Sequence, residues 1–356
     1  MNVENENKLK YMEIYNHYKG LIKSKILSPG DKIPTENEIG EAFKVSRITV
    51  TKALNMLAND GFIYRIPGSG TYVKDTEPSK KDPGLKVISL IVSFKPQGRE
   101  IELIQGIENY LKQHGYLLSV SNSNDDPEVE KQLILDFKDK VDGIILYPSA
   151  SNMNTDLFFD LFKENYPIVY VDKYPFNVPC NYVTSDNFAG GYAIGKYLID
   201  KNHENIALVF YDLVSHTSEI DRFNGFMKAV TEKGINKENI RIISIGKNRS
   251  EESREELYHQ LLTNSDLTAI FACNDVLAYK IMNHISNGNY KLPKNFVIAG
   301  FDDLNSITPN LPFITVHQEL YDIGEEAAKL IMGIIANNVY IINEHKIVPV
   351  RLVEKV

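Results

Sequence analysis

With 356 residues, 43% hydrophobic and 24% charged, the chain has the make-up of an ordinary globular protein, and at ~100–200 residues per domain its length predicts two or three compact units. No run approaches the ~18 apolar residues of a membrane span, Met1–Lys10 is polar with no apolar stretch behind it, and the cysteines are Cys180 and Cys273 alone; this argues against a membrane protein, a secretory leader, a disulfide framework and a structural zinc, and predicts a cytoplasmic location. The net charge of −8 conceals an asymmetry: residues 1–75 hold 11 basic and nine acidic side chains, net +2, which leaves −10 for the rest and suggests separate partners for the two parts.

Between Tyr11 and Ile26 the apolar residues Tyr11, Ile14, Tyr15, Tyr18, Leu21 and Ile22 recur at three-and-four spacing, predicting a helix with one buried face that Pro29-Gly30 stops. Thr35 followed by Glu38 is a capping-box pattern, starting a second helix through Phe43 with Ile39 and Ala42 facing inward. Ser46 is placed to cap a third helix whose apolar stripe is Val50, Ala53, Leu54 and Leu57, with Gly61 where a left-handed cap belongs. Phe62–Arg65 and Thr71–Val73 read as strands joined by the Gly-rich turn 66–70. Three helices and a hairpin make a winged helix-turn-helix, whose third helix enters the DNA major groove. Ser46, Arg47, Thr49 and Thr51 crowd the start of that helix, opposite its apolar stripe; an arginine there reads guanine and hydroxyls suit phosphate. A three-helix module for protein contacts is the alternative.

The runs Leu27-Ser-Pro-Gly-Asp-Lys-Ile-Pro-Thr-Glu-Asn-Glu-Ile39, Val45-Ser-Arg-Ile-Thr-Val-Thr-Lys-Ala-Leu54, Asp60-Gly-Phe-Ile63 and Gly68-Ser-Gly-Thr71 resemble the N-terminal domain of GntR-family bacterial transcription regulators. The resemblance covers residues 10 to 74. It implies DNA-facing positions at Asn37, Glu38, Ser46, Arg47, Ile48, Thr49, Thr51, Lys52, Gly68 and Ser69. Many members have a second arginine where this chain has Thr51.

The stretch Asp75–Gly84 has two prolines, a glycine and no large apolar residue, as a linker does. The expected organisation is a head at 1–74, a linker at 75–85 and a larger domain at 86–356. In the latter, strand-like runs (87–92, 117–120, 143–147, 168–171) alternate with helical ones (101–113, 127–138, 155–164), and a second alternating series runs from 187 to 299. The fold class is therefore α/β, two parallel-sheet units forming a bilobed cleft protein. Ligands of such sheets bind beyond the carboxyl ends of the strands, which carry Ser93-Phe-Lys95, Ser121-Asn-Ser123, Tyr147-Pro-Ser149, Asp172-Lys-Tyr174, Phe210-Tyr-Asp212, Asn274-Asp275 and Asp302-Asp303. Hydroxyls, amides, carboxylates and rings suit a neutral polyhydroxylated ligand. Gly190-Gly191 lacks nucleotide-binding spacing, the histidines lack metal-ligand spacing and no Gly-x-Ser-x-Gly elbow occurs, so neither a catalytic residue, nor a metal, nor a cofactor is expected.

Gly106-Ile-Glu, Asp142-Gly-Ile-Ile145, Val171-Asp-Lys-Tyr174, Ser185-Asp-Asn187, Arg222-Phe-Asn-Gly-Phe226, Cys273-Asn-Asp275, Ala299-Gly-Phe-Asp-Asp303 and Thr315-Val316 resemble the effector domain of LacI/GalR-type repressors, itself similar to periplasmic sugar-binding proteins. By that resemblance Asp172, Arg222, Asn274, Asp302 and Gln318 contact the effector, with Lys173 in place of the arginine often found there. Asp275 and Asp303 read as helix or turn caps, and for Arg222 the alternative is an ion pair with an acid such as Asp221 or Glu219. The GntR-type head with this C-terminal part resembles the arabinose-repressor subgroup, which implies a homodimeric repressor on double-stranded operator DNA, released by a small sugar such as an arabinose-type pentose. A corepressor mechanism, a non-sugar effector, or a sugar-binding protein whose head docks a protein remain alternatives.

Overall fold

The computed structural model describes residues 3–24, 26–59, 62–66, 69–74, 85–94, 98–211, 217–246, 249–263, 266–304, 312–337 and 344–355. They form two compact units, Met1–Pro83 and Gly84–Val356. Gly61, Gly68, Lys95, Asp212 and the linker stretch 75–84, all singled out above, lie outside the described residues.

The first unit contains α1 (Val3–Lys23), β1 (Lys32–Ile33), α2 (Glu36–Phe43), α3 (Arg47–Asn59), β2 (Ile63–Ile66) and β3 (Gly70–Val73). Ile14, Tyr15, Tyr18 and Ile22 of α1 meet Val50, Ala53, Leu54 and Leu57 of α3 in one core with Ile39. Each fully buried aliphatic side chain there contributes about 1.5–3 kcal/mol. Helix α1 ends three residues earlier than the apolar spacing predicts, because the amides of Ile26 and Leu27 both turn back to the Leu21 carbonyl. It also begins earlier, since residues 3–10 are helix-compatible but carry no apolar stripe. Ala42 is exposed, a correction to its expected inward position; the buried face of α2 follows the 39–43 spacing, with Phe43 packed on the core. The hairpin is joined by β1, which adds to β3 through the pairs Lys32↔Tyr72 and Ile33↔Thr71, a two-residue strand too short for periodicity to reveal.

Among its described residues the second unit has two six-stranded sheets. In chain order its elements are β4 (Val87–Val92), α4 (Glu100–Gln113), β5 (Leu117–Asn122), α5 (Pro127–Lys138), β6 (Gly143–Leu146), α6 (Thr155–Lys163), β7 (Ile168–Val171), β8 (Asn181–Ser185), α7 (Asn187–Asp200), β9 (Ile206–Phe210), α8 (Thr217–Lys233), β10 (Ile240–Ser244), α9 (Glu251–Leu262), β11 (Ala269–Ala272), α10 (Asp275–Asn287), β12 (Val297–Ala299), β13 (Phe313–Gln318), α11 (Leu320–Asn337), β14 (His345–Val348) and β15 (Val350–Lys355). The first lobe's sheet is ordered β14-β8-β7-β6-β4-β5 and the second's β10-β9-β11-β12-β13-β15. Among the described residues all pairings of these sheets are parallel except β13 with β15. Central strands such as β9 and β11 are buried along their whole length, as sheets covered on both faces require.

The lobes do not follow the chain in two blocks. The chain passes between them after β8, after β13 and after β14, so α7 packs in the second lobe and α11 in the first. Each returning helix is seated by reciprocal glycines: a Cβ on Gly191 would overlap the Arg222 carbonyl and one on Gly225 the Phe188 carbonyl, while Gly106 and Gly324 make the same exchange between α4 and α11.

Candidate functional site

In the first unit, Ser46 caps α3 by accepting from the Thr49 amide at 3.4 Å. The outward side of α3 presents Arg47, Ile48, at 82% exposure, and Lys52, with Thr51 partly exposed. Thr49 departs from the expected arrangement: it is buried, and its hydroxyl lies 3.0 Å from Ser46 Oγ, because its position in the helix turns it toward the core. Arg47 Nε donates to Glu36 Oε2 at 2.9 Å, and Arg65 Nη2 lies 3.6 Å from the other oxygen; the Arg47 hydrogen bond holds the Glu36 carboxyl below its ordinary range. The Glu38 carboxylate accepts from both the amide and hydroxyl of Thr35 at 2.7 and 2.8 Å, so its role in the cap is visible. Asn37 and Ser69 are exposed, Ser69 Oγ being 2.7 Å from the Tyr72 hydroxyl, and Lys52 Nζ stands 4.3 Å over the Tyr11 ring.

In the second unit, Asp172, Lys173, Arg222, Asn274, Asp302 and Gln318 all line one cavity of about 190 Å³ between the lobes, smaller than the ~300 Å³ and above typical for drug-sized ligands. Asp172 follows β7 and Asp302 follows β12, both in the left-handed region (φ 66° and 116°), a strain that surrounding structure must hold. Arg222 is buried. It donates through Nε to Asn187 Oδ1 at 2.8 Å and through Nη1 to the Cys273 carbonyl at 2.6 Å, lies 3.6 Å from Asp302 Oδ1, and stacks 3.7 Å from the Phe301 ring centre. Asp302 is thus an acidic partner of Arg222, which α8 directs across the strand ends, and Asp221 also feels the arginine's charge. Gln318 Nε2 donates to Asp302 Oδ1 at 2.7 Å and its Oε1 accepts from Ser185 at 2.6 Å. Burial drives the Asp302 carboxyl well above its ordinary range, with Arg222 opposing the shift. Asn274 caps α10 through the Leu277 amide at 2.9 Å. Lys173 Nζ stands 5.2 Å over the Tyr147 ring.

Asp275 and Asp303 serve the loop that carries Asp302. Asp275 accepts from the Leu304 amide and the Thr315 hydroxyl at 2.8 and 2.6 Å, and Asp303 engages His317 and Lys355 at 2.7 and 3.0 Å. Burial raises the Asp275 carboxyl to about 6. Its folded form therefore keeps a proton that the unfolded form, near ~3.9, has lost. The residue's cost to stability is complete above pH 6 and is relieved as pH falls through 6 toward 4. In urea unfolding, wild type should gain stability relative to Asp275→Asn over that window; a difference that stays flat from pH 7 to pH 4 would contradict this origin.

Phe94, Tyr147 and Tyr211 add rings to the cleft from strand ends; Arg99, Glu100, Leu103, Ser218, Glu219, Leu304 and Leu320 also line it and were not anticipated. Apart from Leu304, which follows Asp302 in the loop after β12, they sit on helix starts and chain crossovers, which no strand-end rule detects. The two buried arginines already face carboxylates and carbonyls, so the cleft offers amides, carboxylates and rings to a neutral polyol more readily than paired cations to a phosphate.

Residues 10–73 match the family of bacterial regulatory proteins described as gntR, and residues 88–338 match the periplasmic binding protein domain. An arabinose metabolism transcriptional repressor of Halalkalibacterium halodurans is 32% identical over 336 residues, 90% of this chain and 89% of that protein. A protein of the same description from Geobacillus stearothermophilus is 27% identical over 92% of this chain and 91% of its own length. Among solved structures, a LacI family transcriptional regulator from Enterococcus faecium with bound ribose superposes with a TM-score of 0.62 at 26% identity, over 75% of this chain and 97% of that one. The transcriptional regulator CelR in complex with cellobiose shares the fold at TM-score 0.64 and 18% identity, over 90% of this chain and 99% of that chain.

Proposed function

Since this chain belongs to the gntR family of bacterial regulatory proteins, with a periplasmic binding protein domain behind the head, and is a sugar-responsive DNA-binding repressor, we propose that a neutral pentose of the arabinose type releases it from double-stranded operator DNA. The observation that carries this reading is the cavity of about 190 Å³ where Asp172, Lys173, Arg222, Asn274, Asp302 and Gln318 converge. In this role the carboxylates and amides bond sugar hydroxyls, the rings of Phe94, Tyr147 and Tyr211 cover the apolar sugar face, and the sugar leaves chemically unchanged. The repressor acts in the cytoplasm as a homodimer, so its operator is a palindrome.

A thermal-shift panel of pentoses, hexoses, disaccharides and nucleosides tests the ligand. The true effector at 100 times its Kd adds about 2.7 kcal/mol to stability, and L-arabinose is expected to do so and to weaken operator binding. A shift from nucleosides alone, or tighter operator binding with sugar, would replace this reading by a non-sugar effector or a corepressor mechanism. On the DNA side, Asn37, Arg47, Ile48, Thr51, Lys52 and Ser69 are the proposed contacts. Arg47→Ala should lose about 1–3 kcal/mol of operator binding with little change on bulk DNA; equal losses on both would reduce Arg47 to a phosphate contact.

A further inference from the structure

Two buried arginines reach Asp302 from opposite lobes. Arg222, on α8 of the second lobe, faces its carboxylate. Arg99, at the start of α4 in the first lobe, reaches its main chain: Nη1 donates to the Asp302 carbonyl at 3.2 Å, and Nη2 donates to the Gln318 carbonyl at 2.9 Å. The same guanidinium is anchored in its own lobe by both carboxylate oxygens of Glu102, at 3.1 and 2.8 Å, and Nη2 lies 3.2 Å from His317 Nε2. Arg99 is 6% exposed and lines the cleft. Its fork therefore joins a first-lobe helix to the two second-lobe residues whose side chains bond each other in the cavity, one of them held at φ 116°.

We propose that Arg99 is the positioning residue that couples occupancy of the cleft to the arrangement of the lobes, a mechanism that rests on the sugar-released reading above. The bridge forms only when α4 stands against the ends of β12 and β13. In that arrangement it fixes the backbone of Asp302 and Gln318, so their polar groups meet the ligand already oriented. Ligand binding and lobe bridging then favour each other. A contact of equal strength in both arrangements would change sugar affinity and cancel from the coupling, whereas a bridge present in one arrangement enters both.

The experiment uses the full-length protein, L-arabinose as the probe and an operator fragment from upstream of its own gene. Sugar Kd is measured by calorimetry, and operator Kd by anisotropy with and without saturating sugar. Wild type should show a coupling factor within the usual range of about 5 to 150. Arg99→Gln should weaken sugar binding and bring the factor at saturating sugar to within about twofold of unity. Arg99→Lys keeps the charge but lacks the fork, so it should also lower the factor, and it decides the matter if the glutamine variant does not fold. A weakened sugar Kd with an unchanged factor would overturn the proposal and leave Arg99 a simple ligand contact. A wild-type factor of one would overturn the sugar-released reading itself, and the coupling role with it.

Discussion

Arg222→Ala is expected to remove the sugar response and to destabilise the second unit by about 3–5 kcal/mol, the cost of breaking a buried ion pair from one side. The arginine satisfies Asn187 Oδ1 and the Cys273 carbonyl while facing Asp302, so its loss leaves polar groups of three separate segments without that partner. Asp302→Asn should behave differently. It keeps an oxygen for Gln318 and leaves the Arg222 bonds to Asn187 and the Cys273 carbonyl in place, so stability should fall less than in Arg222→Ala while the proposed sugar contact weakens. Urea unfolding together with sugar calorimetry separates the two effects. Equal stability of Arg222→Ala and wild type would mean that the arginine is not part of the packed structure described above.

Gly191→Val should be strongly disruptive, at about 3 kcal/mol or more. Even a Cβ at this position overlaps the Arg222 carbonyl, so α7 and α8 must separate, and Arg222 must move with its helix. Sugar affinity should fall along with stability. Gly333→Ala, on α11, is the control: among the described residues nothing stands within 4 Å of the added carbon, and a helical glycine replaced by alanine should gain about 0.5–1 kcal/mol. Melting temperatures in opposite directions are expected. If Gly191→Val melts with wild type, the α7–α8 approach is looser than described.

Much of the architecture was legible in local signals. Thr35 and Glu38 form the capping box their spacing implied, Val50, Ala53, Leu54 and Leu57 are buried as their period required, and the strand runs 87–92 and 168–171 coincide with β4 and β7. Other features left no such trace. The short strand β1 has no period, and β13, α11, β14 and β15 follow the stretch in which strand and helix signals alternated cleanly. Local pattern also cannot say which lobe a helix joins. Helix α11 is far from α4 in the chain and packs directly against it, because Gly106 and Gly324 permit the backbones to touch.

The amino-acid sequence by itself determined the class of the head, the α/β character of the second unit, and the strand-end positions of Asp172, Lys173, Asn274 and Asp302, because caps, periodicity and strand ends are written in neighbouring residues; Arg222 and Gln318 joined that group only through the resemblance to LacI/GalR-type effector domains. Only the tertiary structure decided which of these groups have partners: Arg222 with Asp302, Thr49 turned inward, Asp275 raised by burial, and Arg99 joining α4 to the Asp302 and Gln318 backbone. Those outcomes depend on distance through space and on exclusion of water. Residues as far apart as Arg99 and Gln318 acquire both only when the three crossovers bring the lobes together.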